Sequence, residues 1–322
     1  MIHKFTLLTA AIIFAVIALV AGCTSHENKS ADSQATLSPQ PHSTTAAAFR
    51  AEFAASPATI KAGEPTTLSF TVKDAQGAIA RDLQIVHEKP MHLLVVSSDL
   101  AEFSHVHPML QPDGTFTVTY TFPNGGDYKL YADFTPANSS QTVEQVAVKV
   151  SGNERAKQPL AADATMTQSV DGINVTLAPD KALKSGDELM LNFKVADAKT
   201  GKPATDLQKY LGEYAHFVII SADLKDFLHA HPMSMGEHGA AGGHQHAGGT
   251  KPHTDAMTAA SPSEVAAHTT FPQAGLYKVW AQFQRADKVI TVPFVLNVAA
   301  GEGNTASAGH GGHDQDGEKQ KH

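Results

Sequence analysis

Hydrophobic and polar positions alternate along most of the chain beyond residue 48. Leu68, Phe70 and Val72 form one apolar row. Phe116, Val118, Tyr120 and Phe122 form a second, Tyr128, Leu130, Ala132 and Phe134 a third, and Val146, Val148 and Val150 a fourth. A period of two marks strands with one buried face. Turn-forming residues separate the rows, as at Pro112-Asp113-Gly114 and Pro123-Asn124-Gly125-Gly126. No amphipathic helical period runs for more than a turn or two.

The pattern then repeats. Leu189, Leu191, Phe193 and Val195 answer the first row. The stretch Met91–Pro108, with His92, Ser97, Asp99, Phe103, His105 and His107, returns in Ala215–Pro232 as His216, Ser221, Asp223, Phe227, His229 and His231. Phe122-Pro123 returns as Phe271-Pro272, and the run from Tyr128 to Phe134 as Tyr277 to Phe283. Val292, Phe294, Leu296 and Val298 close the second copy. The large mismatch is about 25 extra residues between Pro232 and Phe271. Each copy has around seven short alternating segments in about a hundred residues, which predicts an all-β chain of two tandem immunoglobulin-like β-sandwich domains. A small barrel is the alternative. The lack of crossover helices excludes a parallel α/β fold.

These boundaries give a first repeat at 48–152 and a second at 165–300. The second carries a His/Gly-rich insertion at 234–260, and a His-rich tail follows at 301–322. Residues 24–47 are Ser-, Thr-, Ala-, Gln- and Pro-rich without apolar period, and read as a flexible spacer. Residues 1–22 begin with Lys4 and an uncharged run, then end in small residues at Val20-Ala21-Gly22 before Cys23. This is the pattern of a secretory signal. Ala-Gly-Cys resembles the lipobox of bacterial lipoproteins. That resemblance implies cleavage before Cys23, acylation of Cys23, and attachment of the rest to a membrane. Thr24 after the cysteine, in place of Asp, implies the outer membrane facing the periplasm if the cell is Gram-negative. An uncleaved anchor is the alternative, since about 18 apolar residues can span a bilayer. Either way the two repeats lie outside the cytoplasm.

The formal charge is −8, without a basic cluster, which argues against nucleic acid as a partner. Cys23 is the only cysteine, so the repeats hold no disulfide and no thiolate ligand. A metal there must use His, Met, carboxylate, backbone or water.

The 18 histidines carry the candidate chemistry. Asp99-Leu100-Ala101-Glu102 reads as a four-residue hairpin loop, with Ser98 opposite Phe103. His92, His105 and His107 then share one strand face, with His107 opposite Leu94. A His-x-His step puts two imidazoles on the same side, roughly 7 Å apart at Cα. Three imidazoles on one face can bind a borderline transition metal. The same holds for His216, His229 and His231. Two imidazoles with water or Met91 could complete the first set. The alternative is that these are buried imidazoles bonded to backbone. Asp99 and Asp223 read as turn caps, Phe103 and Phe227 as core, and Pro108 and Pro232 as strand ends.

A secondary set lies in the insertion: Met233, Met235, His238, His244, His246 and His253, with His310, His313 and His322 in the tail. Such tracts read as metal-collecting segments, or as solvated loops without a role. Methionine thioethers beside histidine favour copper, whereas a His-only site serves zinc or nickel as well. An exported β-sandwich with His-x-His-Pro is similar to the YtkA-like and CopC-like envelope domains, a resemblance that implies copper handling and metal-handling envelope proteins as partners. This chain departs from the CopC-like pattern in where its methionines lie and in lacking a clear N-terminal histidine ligand. No nucleophile–base pair or phosphate loop is legible, so no enzymatic role is expected. The expected function is a membrane-anchored envelope protein that buffers or delivers metal. The alternative is a non-enzymatic interaction or scaffold module with structural histidines.

Overall fold

The computed structural model describes residues 48–230, 232–234 and 261–302, with residues 229 and 232–234 at the level of the backbone. The first repeat comprises β1 (Phe49–Ser56), β2 (Pro65–Asp74), β3 (Met91–Ser97), β4 (Phe103–Val106), β5 (Met109–Leu110), β6 (Phe116–Thr121), β7 (Gly126–Phe134) and β8 (Thr142–Val150). The second comprises β9 (Thr167–Val170), β10 (Ile173–Pro179), β11 (Glu188–Asp197), β12 (Leu207–Gln208), β13 (His216–Ser221), β14 (Phe227–Ala230), β15 (Pro232–Ser234), β16 (Glu264–Thr270), β17 (Gly275–Arg285) and β18 (Lys288–Val298). Among the described residues there is no helix.

Each repeat is an immunoglobulin-like sandwich. In the first, a sheet ordered β1-β2-β6-β5 faces one ordered β4-β3-β7-β8. In the second, β15-β16-β11-β10-β9 faces a sheet in which β14, β13, β17 and β18 follow the same order, with β12 added against β17. All strand pairs are antiparallel. The apolar rows of the sequence form the cores. Leu68, Phe70, Val72 and Phe116 pack on Met91, Leu93, Val95, Leu130 and Phe134. Leu191, Phe193 and Val195 pack on Phe217, Ile219, Val279, Phe283 and Phe294.

Strand β3 is buried at all seven positions, and β13 at all six. Their odd and even residues go to different places. Met91, Leu93 and Val95 enter the first core, while Leu94 and Val96 join a third apolar cluster with Leu100, Tyr131, Val218, Ile220 and Trp280. That cluster is the contact between the two repeats. Phe103 and Phe227, expected to be core, pack against this cluster and not inside the sandwiches, because they lie on the strand face turned away from the sandwich interior.

The β3–β4 hairpin loop has the expected four residues but starts one residue earlier. Leu93 pairs with Val106, Leu94 with His105 and Val96 with Phe103, so the loop is Ser98–Ala101 and Ser98 is not opposite Phe103. The cause lies in the turn. Leu100 takes a left-handed conformation (φ 57°) and donates its N–H to the Ser97 carbonyl at 2.8 Å. Ser97 Oγ accepts the Glu102 N–H at 2.9 Å and donates to Asp99 Oδ1 at 2.7 Å. Asp99 thus closes the turn, as its residue type predicts. The second repeat copies this with Ser221, Asp223, Leu224 (φ 63°) and Asp226. The slip is two residues, so every side chain keeps its face. Pro108 lies between β4 and β5, and Pro232 opens β15.

Two boundaries move. Ser234, placed at the start of the insertion, is the last residue of β15 and pairs with Val265, because the edge of that sheet continues through it. Gly301 and Glu302, placed in the tail, are tied to the fold. Gly301 N–H donates to Ser185 Oγ at 3.1 Å and Glu302 pairs with Lys184 at 3.2 Å. Among the described residues, no helix is long and apolar enough to cross a membrane.

Candidate metal centre at the junction of the repeats

The register sets His107 in the row beyond Leu93–Val106, facing His92, one row from the Leu94–His105 pair. This is closer than the predicted offset, and the three imidazoles converge. One ring nitrogen from each of His92, His105 and His107 lies within 4.8 Å of the other two. The ring centroids are 5.2 Å apart for His92 and His105, 5.0 Å for His92 and His107, and 4.8 Å for His105 and His107.

The hydrogen bonds assign the nitrogens. His92 is 2% exposed, and its Nε2 stands 2.9 Å from the carbonyl oxygen of Val86. A carbonyl only accepts, so Nε2 carries the hydrogen and Nδ1 of the neutral ring carries the lone pair. His105 Nδ1 stands 2.8 Å from Gln282 Oε1, on β17 of the other repeat. The amide of Gln282 sends Nε2 to Thr291 Oγ1 at 3.2 Å, which leaves Oε1 for His105. His105 therefore presents the Nε2 lone pair. His92 Nδ1 and His105 Nε2 face each other at 3.0 Å. His107 Nε2 is buried without a hydrogen-bond partner. Burial, together with neighbouring His92 and Lys89, pushes the His107 pKa down to about 3, so this ring is neutral over the ordinary pH range.

Met91 does not complete the set. It is fully buried in the first core, on the opposite face of β3 from His92, as strand alternation requires. Two residues missed from sequence do belong to the surroundings. Gln282 is one. His87 is the other: its ring lies 6.2 Å from His92 and 4.8 Å, edge-on, from His216. The imidazoles thus continue from one repeat to the other. A cavity of about 140 Å³ adjoins His92 and is lined by Gln84, Val86, Lys89, Asp133, Phe134 and Gln141.

Of the second set, His216 is fully buried on β13. Its Nε2 lies 2.6 Å from the Tyr210 carbonyl, the counterpart of the His92–Val86 bond. His229 sits on β14 opposite Val218, and Met233 on β15 opposite Ala266. Cys23, His231, Met235, His238, His244, His246, His253, His310, His313 and His322 lie outside the described residues.

A family model described as "Domain of unknown function (DUF8832)" matches the chain twice, at residues 46–152 and 168–300. No curated protein matches it. Among solved structures, the chain is similar to InvD of Yersinia pseudotuberculosis, at 15% identity and a TM-score of 0.24, over 81% of this chain and 60% of that one. It is similar to the BSP domain of a biofilm-associated protein, at 11% identity and a TM-score of 0.21, over 78% of this chain and 30% of that one. A Corynebacterium diphtheriae protein described as "Putative membrane anchored protein" is similar at 10% identity and a TM-score of 0.22, over 79% of this chain and 59% of the other. The chain spans at most 60% of the length of these three.

Proposed function

Since this chain belongs to the DUF8832 family, whose domain it carries twice, we propose that it is a transition-metal-binding protein of the cell envelope, with His92, His105 and His107 as ligands and copper as the favoured ion. One observation carries the reading. His92 Nδ1 and His105 Nε2 approach to 3.0 Å while each ring's other nitrogen is committed to an acceptor. With both rings neutral, two lone pairs meet at that distance; a proton shared by the two rings or a metal ion between them relieves the repulsion, and a metal ion would take the place of that proton. With metal–nitrogen bonds of about 2.0–2.1 Å, two imidazoles on one ion stand about 3.0–3.4 Å apart. The third ring adds a buried nitrogen without a partner, which costs free energy as it stands and which an ion would satisfy.

A three-imidazole set suits copper, zinc or nickel. Copper is favoured by Met233 and Met235, which follow the second histidine set in the sequence, and by the secretory pattern of the N-terminus. The Ala-Gly-Cys junction supports anchoring through acylated Cys23, so the metal would be buffered or delivered at a membrane surface. Nothing in the site calls for a catalytic role.

Competition titration against a chelator tests the reading, with Cu(I), Cu(II), Zn(II) and Ni(II) added to the full chain. The His105→Ala/His107→Ala double variant should bind one equivalent fewer at the tight end. If the parent binds none of these ions tightly, or the variant matches it, the histidines are structural. The chain would then be an interaction module.

A further inference from the structure

We infer that this metal site is built by both repeats, because Gln282 of the second selects the nitrogen that His105 of the first can offer. The inference rests on the metal reading above and adds to it a link between ion binding and the docking of the repeats.

A neutral imidazole has one N–H and one lone pair, and the group facing one nitrogen decides which is which. For His105 the group facing Nδ1 is Gln282. The acceptor comes from β17, across the inter-repeat contact, at 2.8 Å. Gln282 is itself 4% exposed. On its other side, its amide Nε2 donates to Thr291 Oγ1 on β18 at 3.2 Å. It also pairs in register with His216 on β13, so one residue borders both histidine strands. A ligating histidine whose far nitrogen is held in this way keeps its ring orientation and gains basicity, and loss of the holding group typically costs 10–100-fold in affinity.

The contact that brings Gln282 to His105 is apolar and closely packed. Trp280, two residues before Gln282, stacks on Phe103, two residues before His105. Separating the repeats would therefore remove the tautomer lock together with the stack. By linkage, an ion that requires the docked arrangement also stabilises it.

Gln282 is a positioning residue, and the test uses readouts that a merely structural role would not move. In the full chain, Gln282→Leu should weaken Zn(II) and Cu(II) binding about 10–100-fold at the His92/His105/His107 site. Gln282→Glu, which keeps an acceptor, should restore or exceed parental affinity. Imidazole 15N shifts should report the Nδ1–H form of His105 in the parent and a mixture of forms in Gln282→Leu. Trp280 is the only tryptophan, so quenching of its emission by Cu(II) reports the site directly. If Gln282→Leu fails to fold, Thr291→Val decides. It leaves the glutamine in place but frees its amide to rotate, and it should weaken binding several-fold. A parent that binds no metal defeats the metal reading itself. A parent that binds while Gln282→Leu or Thr291→Val binds equally well, or while Gln282→Glu fails to rescue, overturns this inference alone.

Discussion

Phe103 of the first repeat stacks on Trp280 of the second, with ring centroids 4.5 Å apart and planes 15° from parallel. The counterpart of Phe103 is Phe227, and it stacks on Tyr131, the counterpart of Trp280, at 5.2 Å and 19°. The repeats thus meet through an approximate two-fold, each giving the same patch. Phe103→Ala should lower stability by about 2 kcal/mol, below the 3–5 typical of a fully buried phenylalanine, because the ring is only half-buried. It should also shift Trp280 emission to the red. Urea unfolding followed at Trp280 measures both. An unchanged midpoint and spectrum would mean that the stack does not hold the repeats together.

Arg155, just beyond β8, braces the hairpin that carries His105. Its guanidinium reaches Glu102 Oε1 at 2.8 Å, Ser97 Oγ at 3.1 Å and Asp99 Oδ1. Burial raises the Asp99 pKa, but the Arg155, Gln158 and Ser97 hydrogen bonds outweigh it and hold the carboxyl below its usual range. Asp99 and Glu102 are mostly buried, with side chains 12% and 17% exposed. Arg155→Ala leaves two carboxylates without their counter-charge and should cost about 1–3 kcal/mol, between an exposed pair and a fully buried one. Arg155→Lys should recover only part, since an ammonium lacks the planar fork that spans both carboxylates. Denaturant midpoints of the three proteins at pH 7 give the comparison.

Gly125 sits at the turn into β7, where the chain passes the segment after β8. A Cβ there would lie 2.5 Å from the Gly152 carbonyl oxygen and 2.8 Å from its carbon. Neither is a flexible side-chain end, so backbone must move. The same place holds the hydrogen bond from Gly125 N–H to the Asn153 carbonyl, 2.8 Å. Gly125→Ala should therefore destabilise by about 1–3 kcal/mol. Gly77→Ala, at an exposed turn with open space around it, should show only the smaller strain of its positive φ. Thermal unfolding of the pair separates a clash from a conformational cost.

Much of this architecture is legible in the alternation. The rows Leu68-Phe70-Val72 and Tyr128-Leu130-Ala132-Phe134 are core because a period of two leaves them no other face to bury. The rule does not say which core takes Phe103 and Phe227, which pack in the cluster between the repeats. Strand alternation says that two faces differ, but it does not say what covers the second when both are apolar, as on β3 and β13. The histidine face was legible because parity survives a two-residue slip. The distances were not, since they depend on Leu100 adopting a left-handed turn. His87 escaped notice because its counterpart is Leu211, so the repeat does not flag it. Gln282 left little signal. It and Asp133 stand between Ala and Phe in both copies, on the face that alternates with the apolar row and also carries Lys129 and Lys278.

The pH dependence of stability offers a separate check on His107, in metal-free protein. Its folded pKa is pushed to about 3, first by burial and then by His92 and Lys89. In the unfolded chain an imidazole titrates near about 6.5. Between those values the unfolded state binds the extra proton, so folding stability must rise with pH across that window. The contribution from His107 is fully present above about pH 6.5, declines as pH falls below it, and is exhausted near the folded value. Any metal would steepen the decline, because protons compete with it for the same nitrogens. Urea midpoints in the presence of chelator, taken from pH 7.5 to 4.5, should therefore fall more steeply for the parent than for His107→Gln. The slopes carry the test and the absolute stabilities do not, since the substitution also changes packing. Equal slopes would mean that His107 takes up its proton within the fold, and that its Nε2 is better served in the metal-free protein than a buried nitrogen without a partner can be.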